Sequence, residues 1–274
     1  MIKDKDCRKL TVNLFISAIF IFFVCLSGCG LDEYYYLDMP SNSNEISSTV
    51  VDYSEYLNQY VSFRTSETGN NYQFLSSSSA FSFLGTEVYY KIYNNYSTAY
   101  SHYSKVLSYN SSSSDYSAAA EYILDSLNYK SLKLVNDYSN VVTITPLIKP
   151  IGEDRYVYIR LNSYGDEEDF RSGVCISNIS MNVYNASLAL TDSSGNPVRP
   201  KRYINSNYGF DFSTSDTYNP VPEKDDDDYY YYSTSTENGT WYVALYAVSE
   251  GRDDNYKKSF SKTLPLGIIA ISSK

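Results

Sequence analysis

The sequence predicts a mainly β protein, an antiparallel β-sandwich with a helical hairpin inserted into it. Three observations carry that expectation. Short segments rich in Tyr, Val and Ile alternate apolar and polar residues at period two, the pattern of half-buried strands. Residues 241–248, WYVALYAV, form a continuous apolar run of strand length, as a strand buried on both faces requires. Strands and helices do not alternate regularly, which disfavours a parallel sheet built from βαβ units.

Alternation begins after residue 50. In Val61-Ser-Phe63-Arg-Thr65 one face is apolar and the other polar. In residues 81–93, Val88, Tyr90 and Ile92 line one face and Glu87, Tyr89, Lys91 and Tyr93 the other, with Gly85 marking a bulge. The period then changes: Tyr96, Ala99, Tyr100, Tyr103 and Leu107 recur at helical spacing. SYNSSSS interrupts it, and Asp115 is placed to cap a second helix carrying Ala119, Ala120, Ile123, Leu124 and Leu127. The hairpin so defined covers residues 96–129. Strands resume over 132–135, 141–147 and 155–161, and a charged loop, GDEEDF, follows at 165–170. Residues 174–184 read as a strand broken near Ser177, and Asp192-Ser-Ser-Gly195-Asn196 as a turn. A polar loop over 249–258 leads to a closing strand at 264–271.

Ahead of this domain, expected over 51–274, stands a basic head with Lys3, Lys5, Arg8 and Lys9, then an apolar run over 10–26. That order is a secretory signal, although the run is long enough to raise a retained membrane span as its rival. Leu26-Ser27-Gly28-Cys29 decides for the signal, because small residues before a cysteine resemble the lipobox of bacterial lipoproteins. The resemblance implies cleavage before Cys29, a lipid on its thiol, and at least two acyl chains, enough for firm anchoring. Gly30, where some lipoproteins carry Asp for inner-membrane retention, points to the outer membrane by the same resemblance. Residues 29–50 are expected to be a solvated tether.

Removing residues 1–28, with four basic and two acidic residues, takes the net charge from −10 to −12 over 246 residues. That acidity disfavours nucleic acid and anionic lipid as partners. Only Cys175 remains as a free thiol in the mature chain, and its setting between Val174 and Ile176 reads as a small buried hydrophobe. His102 is the single histidine and is expected on the solvated side of the first helix, so neither a Ser–His–Asp site nor a zinc site is predicted. No phosphate-binding glycine loop occurs, and no cofactor is expected. Carboxylates for a glycoside hydrolase are available at Glu153, Asp154, 166–169 and 225–228, but they cluster in polar loops. The run Asp225 to Asp228 lacks the spacing of a calcium loop and is expected to be a mobile, self-repelling segment.

Two resemblances bear on fold and family. The succession YVSFRT, FLGTEVYYKIY, RYVYIRL and WYVALYAVSEG looks like a fibronectin type III or immunoglobulin-like domain, with Trp241 where the penultimate strand usually carries Tyr. A lipobox followed by CGLDEYYYLDMP, with Tyr-rich strands and VALYAVSEG near the end, is similar to Treponema-type lipoproteins of spirochaetes, whose motifs carry no known chemistry. The 32 tyrosines suit strands and binding surfaces alike. Together these lead to the expectation of a lipid-anchored envelope protein, a non-enzymatic binding or adhesion module for a protein or glycan. The rivals are an inward-facing structural lipoprotein and an acidic-residue glycoside hydrolase.

Overall fold

A computed structural model describes residues 35–52, 54–75, 80–136, 146–164, 170–204, 207–212, 221–233 and 239–272. The chain divides into residues 1–35 and a compact unit from Tyr36 onward, and the architecture below is that of the second. Strand outweighs helix, as the alternating pattern predicts; the sheets are antiparallel or mixed rather than purely antiparallel.

In chain order the strands are β1 (Ser41–Asn44), β2 (Ile46–Ser47), β3 (Val61–Arg64), β4 (Phe81–Tyr93), β5 (Lys130–Ser131), β6 (Lys133–Asn136), β7 (Tyr156–Arg160) and β8 (Gly173–Ser177). They continue as β9 (Val198–Ile204), β10 (Asn207–Phe210), β11 (Tyr229–Tyr230), β12 (Thr240–Asp253), β13 (Lys258–Phe260) and β14 (Leu264–Ser272). Between β4 and β5 lie α1 (Tyr96–Ser112) and α2 (Ala118–Glu121), the latter continuing as a π-helical turn, Tyr122–Ser126. The largest sheet has the order β11-β4-β12-β14-β2, with β5 on β4 and β13 on β12; smaller sheets run β1-β3-β7-β8 and β10-β9-β6.

The large sheet is centred on the antiparallel pair β4 and β12, which runs from Tyr242 opposite Tyr93 to Asp253 opposite Phe81 with one bulge beside Gly85, between the pairs Glu250–Gly85 and Gly251–Phe83. With β14 paired to its other edge, β12 is a central strand of the sheet. Val243, Leu245 and Ala247 enter one core with Val61, Phe63, Val157, Ile159, Val174, Leu134 and Val198 of the smaller sheets. Ala244, Tyr246 and Val248 enter a second core with Ala99, Tyr103, Val106, Ala119, Ala120 and Ile123 of the helices. Two buried faces explain why residues 241–248 show no polar alternation.

The helical hairpin forms where the periodicity places it, with a shift of face. Asn95 caps α1 through its Oδ1, which accepts from the Thr98 amide at 2.9 Å. Ala99, Tyr103 and Val106 are buried, whereas Tyr100 and Leu107 face outward. Asp115 accepts from the Ser117 amide at 2.9 Å, one turn ahead of α2 rather than as its cap. The turn after Asp192 is as expected: Gly195 has φ +83°, and Asp192 accepts from the Ser194 and Asn196 amides.

Five expectations are corrected or fall outside the described residues. Residues 36–48 are not a tether: Leu37 is buried, β1 pairs antiparallel with β3, and β2 pairs parallel with β14. These strands lack an apolar pattern because they are edges, held by backbone bonds rather than side-chain burial. β8 stops at Ser177, because the chain turns back and Leu190 donates its amide to Val174 on the β8 edge at 2.8 Å. The strand expected at 141–147 is described only from Pro146, where Ile148 bridges to Thr86. The acidic loop at 165–169 lies outside the described residues, as do the signal segment, Leu26, Ser27, Gly28 and Cys29.

Candidate functional site

Strand register sets a row of tyrosines across the far end of the large sheet. Tyr242 of β12 lies opposite Tyr93 of β4, and Tyr93 lies opposite Tyr230 of β11. Side chains directly opposite one another share a sheet face, and this face is the one the helices cover. The first turns of α1 complete the cluster. Tyr96 meets Tyr242 edge-on at 5.4 Å and stacks with Tyr100 at 6.2 Å. His102 meets Tyr93 at 5.6 Å and Tyr230 at 5.0 Å, both edge-on. Asn94 fixes the strand after β11 by exchanging two hydrogen bonds with the Tyr232 backbone, at 2.8 and 3.1 Å.

The row grades from buried to open. Tyr93 is fully buried, with its hydroxyl 3.1 Å from that of Tyr129 and 3.2 Å from His102 Nδ1. Burial, then Tyr129, pushes the Tyr93 hydroxyl well above its usual range, so it stays neutral. Tyr96, His102 and Tyr242 are half-buried, and Tyr100, Tyr230 and Tyr232 are 55%, 38% and 43% exposed. Burial, then Lys105, lowers the His102 pKa and favours a neutral imidazole. His102 is thus no solvated helix residue, as expected from its polar helix position, but part of an aromatic box. The outcome is a cluster of ring faces and hydroxyl tips around a neutral imidazole.

Of the other residues singled out in the sequence, Glu153 and Asp225 are exposed and several are tied down elsewhere. Asp228 is fully buried and bidentate on the equally buried Arg202, at 3.0 and 2.8 Å, with the Tyr90 hydroxyl donating at 3.1 Å. Asp226 also binds Arg202 at 2.9 Å, and Asp227 pairs with Lys130 at 3.0 Å. The run expected to be a mobile loop is therefore a docked one, and its self-repulsion is offset by two cations from other strands. Asp154 accepts from Glu67 and Thr68 amides and pairs with Arg64 at 3.1 Å. Cys175 is buried, with its Sγ 3.1 Å from the Asn185 carbonyl oxygen. Among the described residues no group of His, Cys, Asp and Glu has the arrangement of a metal site. Nor is any described helix long and apolar enough to cross a membrane.

One acidic pair escaped the sequence. Glu87 and Glu250 are both fully buried on the helix-covered face of the central sheet, with Glu87 opposite Val248 and Glu250 opposite Gly85. Glu87 Oε1 accepts from the Val88 and Leu147 amides at 3.0 and 3.2 Å. Glu250 accepts from the Tyr89 hydroxyl and pairs with Lys258 at 2.9 Å. Burial, then the charge of Glu250, pushes the Glu87 carboxyl up to about 8. Neither side chain reaches the surface, so the pair is closed to any substrate. The sequence signal was a single Glu on the strand face it shares with Tyr89, Lys91 and Tyr93. No protein-family model, curated protein or solved structure matches the chain.

Proposed function

We propose that the chain is a lipid-anchored envelope lipoprotein of the spirochaete type that binds rather than catalyses, and that the tyrosine row is where it meets a protein or glycan. One observation carries this: rings from β4, β11, β12 and α1 are set side by side by strand register, and their outer members are open to solvent. Aromatic rings with polar tips give large contact area at low entropic cost, which suits recognition. The lipobox at Leu26 to Cys29 supports anchoring, and Gly30 an outer-membrane address. For the architecture we propose an immunoglobulin-like sandwich. The adjacency β4-β12-β14 and the core shared between the large sheet and β3, β7 and β8 support it. The hairpin β7-β8 enters the second sheet in the opposite order to that fold, a departure.

Replacing Tyr100 and Tyr230 together by Ser removes two of the open rings, and a thermal melt checks that losing the Tyr230–Tyr93 contact leaves the fold intact. Against an array of glycans and envelope or host proteins, the parent should bind at least one ligand that the double variant binds tenfold more weakly. Equal binding by both would sink the assignment to this row. Proteolysis of intact cells decides the direction of display: rapid loss supports outward binding, and protection supports the inward structural role instead.

A further inference from the structure

We infer that the opposite end of the fold, around the point where the chain enters it, is a lipid-docking surface that lies on the bilayer. This rests on the lipoprotein reading, since it needs acyl chains on Cys29. Because Leu37 is buried and residues 36–48 belong to the fold, only residues 30–35 separate Cys29 from it. Even fully extended, that segment and its flanking bonds reach no more than about 25 Å. The surface around Tyr36 is therefore never farther than that from the membrane.

That surface has the chemistry of an interface. Tyr36, Met39, Tyr72, Tyr116, Ile151 and Tyr256 are among the most exposed large side chains of the molecule, at 42–75%, and the structure gathers them at this end. Tyr36 and Tyr116 are in ring contact at 5.4 Å. Asn70 Nδ2 donates to the Tyr36 carbonyl at 2.6 Å, which fixes the 3-10 turn that carries Tyr72. Gly152 abuts the Tyr72 and Leu75 side chains and sets Ile151 beside them. The β12–β13 turn bearing Tyr256 is brought in by Gly251, which packs on Phe81 and Leu37, and by the Asp254 amide on the Ala80 carbonyl at 3.0 Å. Lys262 lies over the Tyr116 ring at 5.1 Å and Arg252 over the Tyr256 ring at 4.8 Å.

Tyrosines with basic neighbours and short apolar side chains are the residues that settle at headgroup depth. Asp254, Lys257 and Lys258 are exposed at the same turn and Glu153 beside Gly152, so the surface carries both signs, which suits a zwitterionic bilayer. β4 runs from Phe81 at this end to Tyr93 in the tyrosine row, roughly 40 Å of strand, so docking here would present that row away from the membrane.

The test uses the mature, lipidated full chain in phosphatidylcholine vesicles, with Tyr72→Trp, Tyr256→Trp and, at the far end, Tyr100→Trp made singly. Trp241, buried beside the tyrosine row, sets the native baseline. In vesicles of brominated phosphatidylcholine the added indole at 72 or 256 should lose at least half its fluorescence, and that at 100 should be unchanged. No quenching at 72 and 256, or stronger quenching at 100, overturns the docking surface while leaving the anchor intact. Intact mass shows whether Cys29 is acylated; an unacylated protein fails the anchoring reading and the docking surface with it. Hydrogen exchange on the unsubstituted chain gives an independent reading. Residues 36–39, 70–74 and 254–257 should be protected in vesicles relative to detergent, and unchanged exchange there counts against the proposal.

Discussion

Glu87 is the residue whose setting departs furthest from its chemistry. Its Oε2 has no hydrogen-bond partner among the described residues, and its Oε1 takes two backbone amides. Such a group is least costly when neutral. Its folded pKa of about 8 lies above the ordinary value of 4.5, so the folded protein holds one more proton than the unfolded chain between those limits. The stability this proton contributes is complete below about pH 4.5 and is lost as pH rises through about 8, with a slope near 1.4 kcal/mol per pH unit. Glu87→Gln keeps the acceptor oxygen and removes the titration. Its chemical-denaturation stability should therefore exceed the parent's increasingly from pH 5 to pH 8, and parallel pH profiles would count against this account. Cys175 supports a simpler expectation. It is buried, and burial raises its thiol pKa, so alkylation of the native protein should be at least a hundredfold slower than of the denatured chain. Its burial was readable from Val174 and Ile176 on either side. That of Glu87 was not, because a carboxylate at period two reads as solvent-facing until a second layer covers it.

At the level of elements, legibility followed apolar patterning. β12 and the helical hairpin carry strong local signals, and both form where those signals lie. β1, β2 and β11 carry none, since their places are set by partners distant in sequence: β2 lies beside β14 and β11 beside β4, both parallel. The acidic run before β11 looked self-repelling for the same reason, as Arg202 and Lys130 are remote in sequence. The β2 pairing turns on one glycine. Gly267 has φ +113°, and a Cβ there would fall on the Ile46 backbone. Gly195 also has positive φ, at +83°, but open space around it. Alanine at 195 should cost only backbone strain, about 1–3 kcal/mol. Gly267→Ala should cost more and expel β2, so that limited proteolysis cuts within residues 36–48 while the remainder stays folded. Equal stability losses and equal cleavage patterns in the two variants would refute a close-packed β2.

On the scale of the molecule, the two cores meet across one sheet, and β14 belongs to both. Leu264, Leu266, Ile269 and Ile271 enter the core shared with the smaller sheets, and Ile268 enters the core beneath the helices. β14 also pairs with β12 from Thr240 opposite Ser272 to Ala247 opposite Leu264, and it carries β2 on its outer side. Its loss would open both layers at once and leave a long edge on β12. Each large apolar side chain it buries is worth roughly 1.5–3 kcal/mol, so five of them approach the whole stability of a domain, about 5–15 kcal/mol. Truncation after Lys262 should therefore leave the chain without a cooperative thermal transition. Removal of residues 36–48, a linker by sequence but two edge strands in the fold, should lower the midpoint of a chain that still melts cooperatively. It takes away Leu37 and two edges and leaves both cores closed. A truncated chain that melts near the parent temperature would mean that β14 is a cover on the sheet and not part of its centre.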